Sequence, residues 1–212
     1  PSAMANTWDA GAGTTNWGTS NNWNPNVVPT TTDSVIVNDG VLAQQPKIDS
    51  GDAFSANQTG ISAGSLTIAG SLTSPVSVSG TGSLVIQTGG GVTGNVTNNS
   101  GGTVSNSGSI TGNVDNSGTL ASTGTITGYL QLTNSSVLQI GAPFGTGMFV
   151  AGEVGLGGTL ALDFAGVIFS TDPMSFDLIS GASFSNGFSA FDLAGLASDQ
   201  SFSSQTVARE GR

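Results

Sequence analysis

The chain reads VTGNV at Val92–Val96, ITGNV at Ile110–Val114 and ITGYL at Ile126–Leu130, and the rest of the sequence is arranged around these three copies. The first two copies start eighteen positions apart, and the last two start sixteen positions apart. Between them the chain is almost entirely Gly, Ser, Thr and Asn. A repeat of this length is typical of a β-solenoid, in which each coil consists of short strands joined by tight turns.

A finer spacing of six residues places aliphatic side chains along the same region. Thirteen residues follow it in several series: Leu66, Leu72, Val78, Leu84, Ile86, Val92, Val104, Ile110, Val114, Leu120, Ile126, Leu132 and Leu138. We predict that these side chains form the core of the coil, because a helix would need apolar residues at steps of three and four. Alternate residues of a strand face the same side, so Leu84 and Ile86 are expected to point inward together.

Asn and Gly cluster at 98–102, 106–108 and 116–118. We predict turns at these places, because both residue types tolerate turn dihedrals. Six-residue spacing suits left-handed triangular coils as well as right-handed ones, but its interruption at Asn98 favours a right-handed winding. One coil buries only about four aliphatic side chains, so it needs stacked neighbours and covered ends to be stable.

Composition limits the classes of partner. The formal net charge is −10, and the only basic side chains are Lys47, Arg209 and Arg212. Nucleic acids and anionic membranes require basic patches, so neither is an expected partner. No apolar run approaches the length of a membrane-spanning helix, and no membrane insertion is expected. A chain without cysteine and with few charges suits a bacterial protein exported to the cell surface or secreted.

Three tryptophans, Trp8, Trp17 and Trp23, fall within sixteen positions. The run W-x-x-G-x-G-x-x-x-W at 8–17, followed by Asn-Trp, Val-Pro and an Asp before a Val/Ile strand, resembles the opening of many large bacterial secreted β-helix proteins. These include autotransporter-like and haemagglutinin-like adhesins. The resemblance covers about fifty residues and the repeats that follow. It implies an all-β fold, namely a right-handed parallel β-helix (β-solenoid) with β caps at both ends, and a surface or biofilm role.

The tryptophan cluster has two interpretations. Indole rings bury a large apolar area, so three of them are suited to close the open end of a solenoid. The alternative is a platform on which sugars stack. Five aspartates share this segment: Asp9, Asp33, Asp39, Asp49 and Asp52. Their spacing matches no calcium-binding loop, so we interpret them as turn and strand-end residues and predict no metal and no cofactor.

The C-terminal part differs from the repeats. Nine of the ten phenylalanines follow residue 141. We predict that Phe164, Phe176, Phe188 and Phe191 belong to a cap over the last coil, which would block edge-to-edge association. The expected organisation is a cloning remnant at 1–4, a Trp-rich cap and first coil at 5–58, repeats at 59–141, a Phe-rich β cap at 142–197 and a flexible tail at 198–212. We expect the whole to be a mature fragment of a longer protein.

The repeats carry little that is suited to catalysis. Asp115 is the only charged residue from Ala53 to Gly152, and the chain has no histidine. Acid–base and Ser/His/Asp chemistry therefore lack their usual groups, and we predict that the protein is not an enzyme. Tyr129, the only tyrosine, is expected at a coil edge or at the start of the closing cap, with ligand binding as the alternative.

The leading hypothesis is therefore a non-enzymatic extracellular solenoid that serves adhesion, self-association in a biofilm, or spacing. Its expected partners are itself, cell-surface glycans or matrix proteins. A carbohydrate-binding module or carbohydrate-active enzyme fragment is the second hypothesis, with Asp49 and Asp52 or Asp172 and Asp177 as acid pairs. Ice binding is the third, because Thr123–Thr127 places three threonines on one strand face, and Ser and Thr residues sixteen positions earlier are predicted to stack beneath them.

Overall fold

The computed structural model of this chain describes residues 3–141, 144, 147–167, 174–196 and 200–205. Within these ranges the regular structure is β, apart from one 3-10 turn at Ser20–Asn22. The strands are β1 Ala5–Trp8, β2 Trp23–Asn24, β3 Ser34–Asn38, β4 Lys47–Ile48, β5 Ala53–Ser55, β6 Gln58–Ala63, β7 Ser65–Ile68, β8 Ser71–Thr73, β9 Val76–Val78, β10 Ser83–Ile86, β11 Gly91–Thr93, β12 Val96–Asn98, β13 Thr103–Asn106, β14 Ser109–Thr111, β15 Val114–Asn116, β16 Thr119–Ser122, β17 Thr125–Ile126, β18 Leu130–Leu132, β19 Val137–Gly141, β20 Met148–Val150, β21 Glu153–Leu156, β22 Thr159–Asp163, β23 Ile179–Ser180, β24 Ser183–Asn186 and β25 Ala190–Ala194.

Three sheets, parallel except for the antiparallel pair β1 and β2, form the sides of a β-solenoid of about six turns, which confirms the predicted all-β solenoid fold. The first sheet has the order β2-β1-β3-β6-β9-β12-β15-β18-β21-β24. The second has the order β4-β7-β10-β13-β16-β19-β22-β25, and the third β5-β8-β11-β14-β17-β20-β23. From β3 onward the chain visits the first, second and third sheets in turn, so that each strand pairs with the strand three positions further along.

Coil length varies along the stack. In the first sheet Val76 pairs with Val96, Val96 with Val114, and Val114 with Leu130, so the coils shorten from twenty to eighteen to sixteen residues. Later pairings join Leu130 to Val154 and Val154 to Phe184, so the coils lengthen to twenty-four and then thirty residues. The parallel stack therefore continues past residue 141, and the segment predicted as a Phe-rich β cap contains the last strands of all three sheets.

The core lies inside the three sheets. All thirteen residues of the six-residue spacing are buried there. Strand β10 shows the reason, because its side chains alternate between partly exposed and buried, with Leu84 and Ile86 inward. Each inward residue stacks on its counterpart in the next coil, as Leu66, Leu84 and Val104 do.

Buried amides interrupt the aliphatic columns at two corners. Asn98, Asn106 and Asn116 end strands β12, β13 and β15, and their side chains point inward rather than into the turns themselves. Asn98 Nδ2 donates hydrogen bonds to Asn116 Oδ1 (2.7 Å) and to the carbonyl oxygen of Thr119 (2.9 Å). Asn116 Nδ2 in turn donates to the carbonyl oxygen of Gly118 (3.1 Å). The amides thus join one coil to the next.

Glycine is required where successive corners touch. A Cβ atom on Gly108 would collide with the carbonyl oxygen of Gly90, and a Cβ on Gly124 would collide with that of Gly108. These corners therefore stack backbone against backbone, with no room for a side chain.

The three tryptophans close the N-terminal end. Trp23 packs edge-to-face against Trp8 and Trp17, with ring centroids 4.9 and 4.7 Å apart. Trp23 Nε1 donates to the carbonyl oxygen of Trp17 (2.8 Å), and Trp8 Nε1 donates to that of Gln44 (2.7 Å). All three rings are buried, so none presents a face on which a sugar can stack.

The phenylalanines at the other end are buried to different extents. Phe164 is buried and lies 5.0 Å from Phe144, which also contacts Phe176 at 5.0 Å between centroids. Phe176 and Phe188 are partly exposed, and Phe191 is 42% exposed. Phe191 lies in the last described strand of the second sheet, β25. Residues 198, 199 and 206–212 of the predicted tail lie outside the described residues, as do residues 1 and 2.

Candidate functional site

One corner of the solenoid carries the fourth residue of each pentapeptide copy, namely Asn95, Asn113 and Tyr129. The backbone N–H of Asn113 donates to Asn95 Oδ1 (3.0 Å), and the backbone N–H of Tyr129 donates to Asn113 Oδ1 (3.1 Å). Each asparagine thus fixes the backbone of the next coil. The third copy replaces the amide by a phenol, and this tyrosine is 39% exposed at the corner.

Beside this corner, the outward side of the first sheet carries a row of polar residues. Thr97 pairs with Asp115, Asp115 with Gln131, and Gln131 with Gly155. The position after Gln131 in this row therefore has no side chain, and Ser185 of β24 follows it. A Cβ atom on Gly155 would meet the side chain of Gln131, so the amide of Gln131 occupies the space that the missing side chain leaves.

A groove of about 360 Å³ lies between the corner and this row. Its lining consists of Asp115, Tyr129, Leu130, Gln131, Glu153 and Gly155. Strands β15, β18 and β21 position these residues, because Leu130 pairs with both Val114 and Val154. Glu153 and Tyr129 immediately precede the paired residues Val154 and Leu130, so the register places them in adjacent coils at the same corner.

The phenol and the carboxylate in the groove are coupled. Tyr129 Oη donates a hydrogen bond to Asp115 Oδ2 (3.2 Å). The negative charge of Asp115 raises the pKa of Tyr129 above its usual value of 10.0, and partial desolvation and the hydrogen bond act in the same direction. The hydroxyl therefore stays protonated at neutral pH and remains a donor.

These groups are suited to hydrogen bonding with a polar ligand. Asp115 and Glu153 supply carboxylate acceptors, Tyr129 supplies an exposed ring and a hydroxyl, and Gln131 supplies an amide whose Nε2 donates to the carbonyl oxygen of Leu132 (3.1 Å). Among the residues that the structure describes, no three His, Cys, Asp or Glu side chains come together as metal ligands.

The third sheet presents a second regular surface. Thr73, Thr93 and Thr111 are paired in register, and all are exposed. The next residue in this row is the exposed Thr127, since Ile126 pairs with Ile110. Strand β17 itself contains only Thr125 and Ile126, so Thr123 lies in the corner before it rather than on the strand face. The regular feature is thus a row along the stack, which we call the threonine row.

The acid pairs considered from sequence lie outside the groove. Asp49 follows β4 and forms an ion pair with Lys47 (2.7 Å), in which both side chains are partly exposed. Asp172 lies outside the described residues. Asp9 and Asp39 accept hydrogen bonds from the backbone N–H of Gly11 (3.0 Å) and Val41 (2.8 Å), as expected for turn residues.

The sequence predicted only part of the groove. Tyr129 was considered as a ligand-binding residue, but Gln131, Glu153 and Gly155 were not. One signal is present in the sequence, because ITGYL departs from VTGNV and ITGNV at the position of the tyrosine.

No family model, curated protein or solved structure matches the chain. Within the described ranges, no helix has the length and apolarity needed to cross a membrane.

Proposed function

We propose that the chain is a non-enzymatic, adhesive and structural β-solenoid of a bacterial surface or secreted protein. The observation that carries this proposal is a parallel stack whose outward strand residues in the repeats are mainly Ser and Thr. From Ala53 to Gly152 this surface contains one charged side chain, Asp115. Such a scaffold holds polar, uncharged side chains in fixed rows, which suits contact with glycans, matrix proteins or another copy of the chain.

The resemblance of the Trp-rich opening to secreted adhesins supports the same proposal. The opening segment folds as the first layer of the stack, with β1 parallel to β3 and β2 antiparallel to β1. An extracellular or cell-surface location is part of this proposal, since the partners of an adhesin lie outside the cell.

The test is a binding panel with the full chain. It comprises a glycan array, immobilised extracellular-matrix proteins, and sedimentation of the chain alone over a range of concentrations. We expect saturable binding in at least one arm. Silence in all three arms would contradict the adhesive role and leave only that of a spacer.

The threonine row favours a second candidate, ice binding. Four exposed threonines repeat along the stack at the spacing of successive strands, about 4.8 Å. The test is thermal hysteresis of the wild-type chain and two variants. Thr111→Lys interrupts the row, whereas Thr97→Lys places the same charge on the first sheet and serves as the matched control. Ice binding predicts activity that Thr111→Lys abolishes and Thr97→Lys preserves; an inactive wild-type chain contradicts it.

A further inference from the structure

We infer that the groove at Tyr129 binds a neutral saccharide, with the ring of Tyr129 as the stacking surface and Asp115, Gln131 and Glu153 as hydrogen-bonding partners. This inference rests on the adhesive function proposed above and assigns it a site and a ligand class.

The exposed ring is the first argument. Of the aromatic residues in the described repeats, Tyr129 stands beside the groove, where its phenol is held by Asp115 at 3.2 Å and its backbone by Asn113 at 3.1 Å. A ring that is already fixed loses little conformational entropy when a ligand stacks on it. The apolar face of a pyranose ring, edged with hydroxyl groups, matches an aromatic surface that is bordered by hydrogen-bonding groups.

The polar lining is the second argument. A sugar hydroxyl both donates and accepts, and the groove offers partners for both roles. Carboxylates accept two or more hydrogen bonds each, so the bond from Tyr129 leaves Asp115 with further capacity. The Oε1 atom of Gln131 adds a neutral acceptor beside Gly155.

The charge of the groove selects among sugars. Asp115 and Glu153 are both acidic, and the chain has a net charge of −10. A uronic or sialic acid would bring a third carboxylate into the same groove and would be repelled. A neutral hexose avoids this repulsion. A lysine ammonium would also be attracted to these carboxylates, so a lysine-rich peptide is the competing ligand in the experiment below.

The shape is the third argument. The groove is open along the corner, and its volume of about 360 Å³ lies within the usual range for small-molecule sites. Gly155 leaves room for the amide of Gln131, because any side chain there would meet that amide. We therefore expect Gly155 to act as a positioning residue for Gln131.

The experiment follows the only tyrosine of the chain by NMR after isotope labelling of tyrosine. The full chain is titrated with neutral hexoses and their oligosaccharides, with a uronic acid, and with a lysine-rich peptide. We expect the Tyr129 ring signals to shift with a neutral sugar and to remain unchanged with the uronic acid. Tyr129→Ala should weaken binding of that sugar about tenfold, measured by calorimetry. Tyr129→Phe should weaken it less, because the ring is retained.

Two further variants keep the test specific. Gly155→Ser displaces the amide of Gln131 while leaving Tyr129 and Asp115 unchanged, and should also weaken binding about tenfold. Phe149→Ala is the matched control, because Phe149 is an exposed aromatic residue on the third sheet, and its loss should leave binding unchanged. Circular dichroism of each variant verifies that the solenoid remains folded.

The contrary outcomes are distinguishable. If the chain binds a glycan and neither Tyr129→Ala nor Gly155→Ser changes the affinity, the groove is not the site, while the adhesive function stands. If the peptide alone shifts Tyr129, the groove binds a cationic protein segment and the saccharide inference is wrong. If no glycan, matrix protein or second copy binds at all, the adhesive function fails together with the inference.

Discussion

At the N-terminal end of the solenoid three indole rings are buried, whereas at the C-terminal end Phe191 is 42% exposed. Both ends are rich in aromatic residues, so residue type does not explain the difference. At the N-terminal end the chain folds back, and β2 pairs antiparallel with β1, which brings Trp23 over the first layer. At the other end Phe191 continues the inward column of Leu160, but the second sheet has no described strand beyond β25.

The comparison shows that an inward position becomes buried only when another layer covers it. Phe191 contacts Phe188 and Phe202 at centroid distances of 6.1 and 5.4 Å, and 42% of the residue stays exposed. Substitutions at the two ends should therefore lower the free energy of unfolding by different amounts, and substitutions in the coils between them provide values for comparison.

The largest expected effect separates the two ends directly. Trp23→Ala removes a fully buried ring and its hydrogen bond to Trp17, and should lower the free energy of unfolding by about 3–5 kcal/mol. Phe191→Ala removes a half-exposed ring and should cost about 1 kcal/mol. Denaturant unfolding followed by far-ultraviolet circular dichroism measures both variants.

Tryptophan fluorescence sharpens this comparison, because all three tryptophans lie in the N-terminal end. In the wild-type chain and in Phe191→Ala, the fluorescence and circular dichroism transitions coincide if the stack unfolds as one unit. Equal losses of stability in Trp23→Ala and Phe191→Ala would contradict the difference between the ends.

The next largest loss of stability is expected at the glycine corners between the two ends. In Gly108→Ala the new methyl group meets the carbonyl oxygen of Gly90 and lies close to that of Gln87, so the variant should lose about 1–3 kcal/mol. Gly141→Ala is the matched control, because a Cβ at Gly141 has open space around it. An equal response of the two variants would show that corner contact is not what requires glycine.

Replacing the buried amides between the two ends should cause a comparable or smaller loss of stability. Asn116→Ala removes a partner of Asn98 and should cost about 1–3 kcal/mol, since a buried donor loses one of its acceptors. The double change Asn98→Val with Asn116→Leu continues the column formed by Val78 and Leu132, and should cost less than the single change. A double variant that is less stable than Asn116→Ala would show that the two amides stabilise the fold by more than their hydrogen bond to each other.

The core was predictable because its signal is local. Leu120, Ile126, Leu132 and Leu138 recur every six residues, and each side of the coil uses about that many residues in the shorter coils. The inward asparagines were not predictable by the same rule, because Asn98 donates to Asn116 Oδ1 and to the carbonyl oxygen of Thr119 in the next coil, and a local pattern does not reveal such contacts. Hydrophobicity therefore places them in turns, whereas they end strands inside the core.

The groove was less predictable, because it depends on the length of one coil. A uniform repeat of eighteen residues would place Asp115 beside Thr133, but the actual coil is two residues shorter and pairs Asp115 with Gln131. That shift also places Tyr129 within hydrogen-bonding distance of Asp115. The two longer coils that follow likewise concealed the continuation of the stack, since their insertions remove the regular spacing.

The smallest loss of stability at neutral pH is expected from replacing Asp33, whose carboxylate holds the Trp-closed N-terminal end together. Asp33 precedes β3 and accepts hydrogen bonds from the hydroxyl (2.7 Å) and N–H (2.9 Å) of Thr30 and from the N–H of Met4 (3.0 Å). It thus fastens the start of β1 to β3. The Thr30 hydroxyl, followed by the two N–H groups, holds the pKa of Asp33 below its usual value of 3.8.

Because the pKa of Asp33 is lower in the folded protein than its usual value of 3.8, the ionised carboxylate stabilises the fold above pH 3.8. This contribution is lost as the pH falls through the lower pKa of the folded protein. Asp33→Asn should therefore unfold more easily than wild type at neutral pH, and the difference should shrink well below pH 3.8. Thr30→Ala removes only the hydrogen bond from the Thr30 hydroxyl, so its stability at neutral pH should lie between those of wild type and Asp33→Asn. The measurement is the fluorescence-detected denaturant midpoint at both pH values. A gap between wild type and Asp33→Asn that stays constant with pH would mean that the carboxylate charge has no part in holding the closed end.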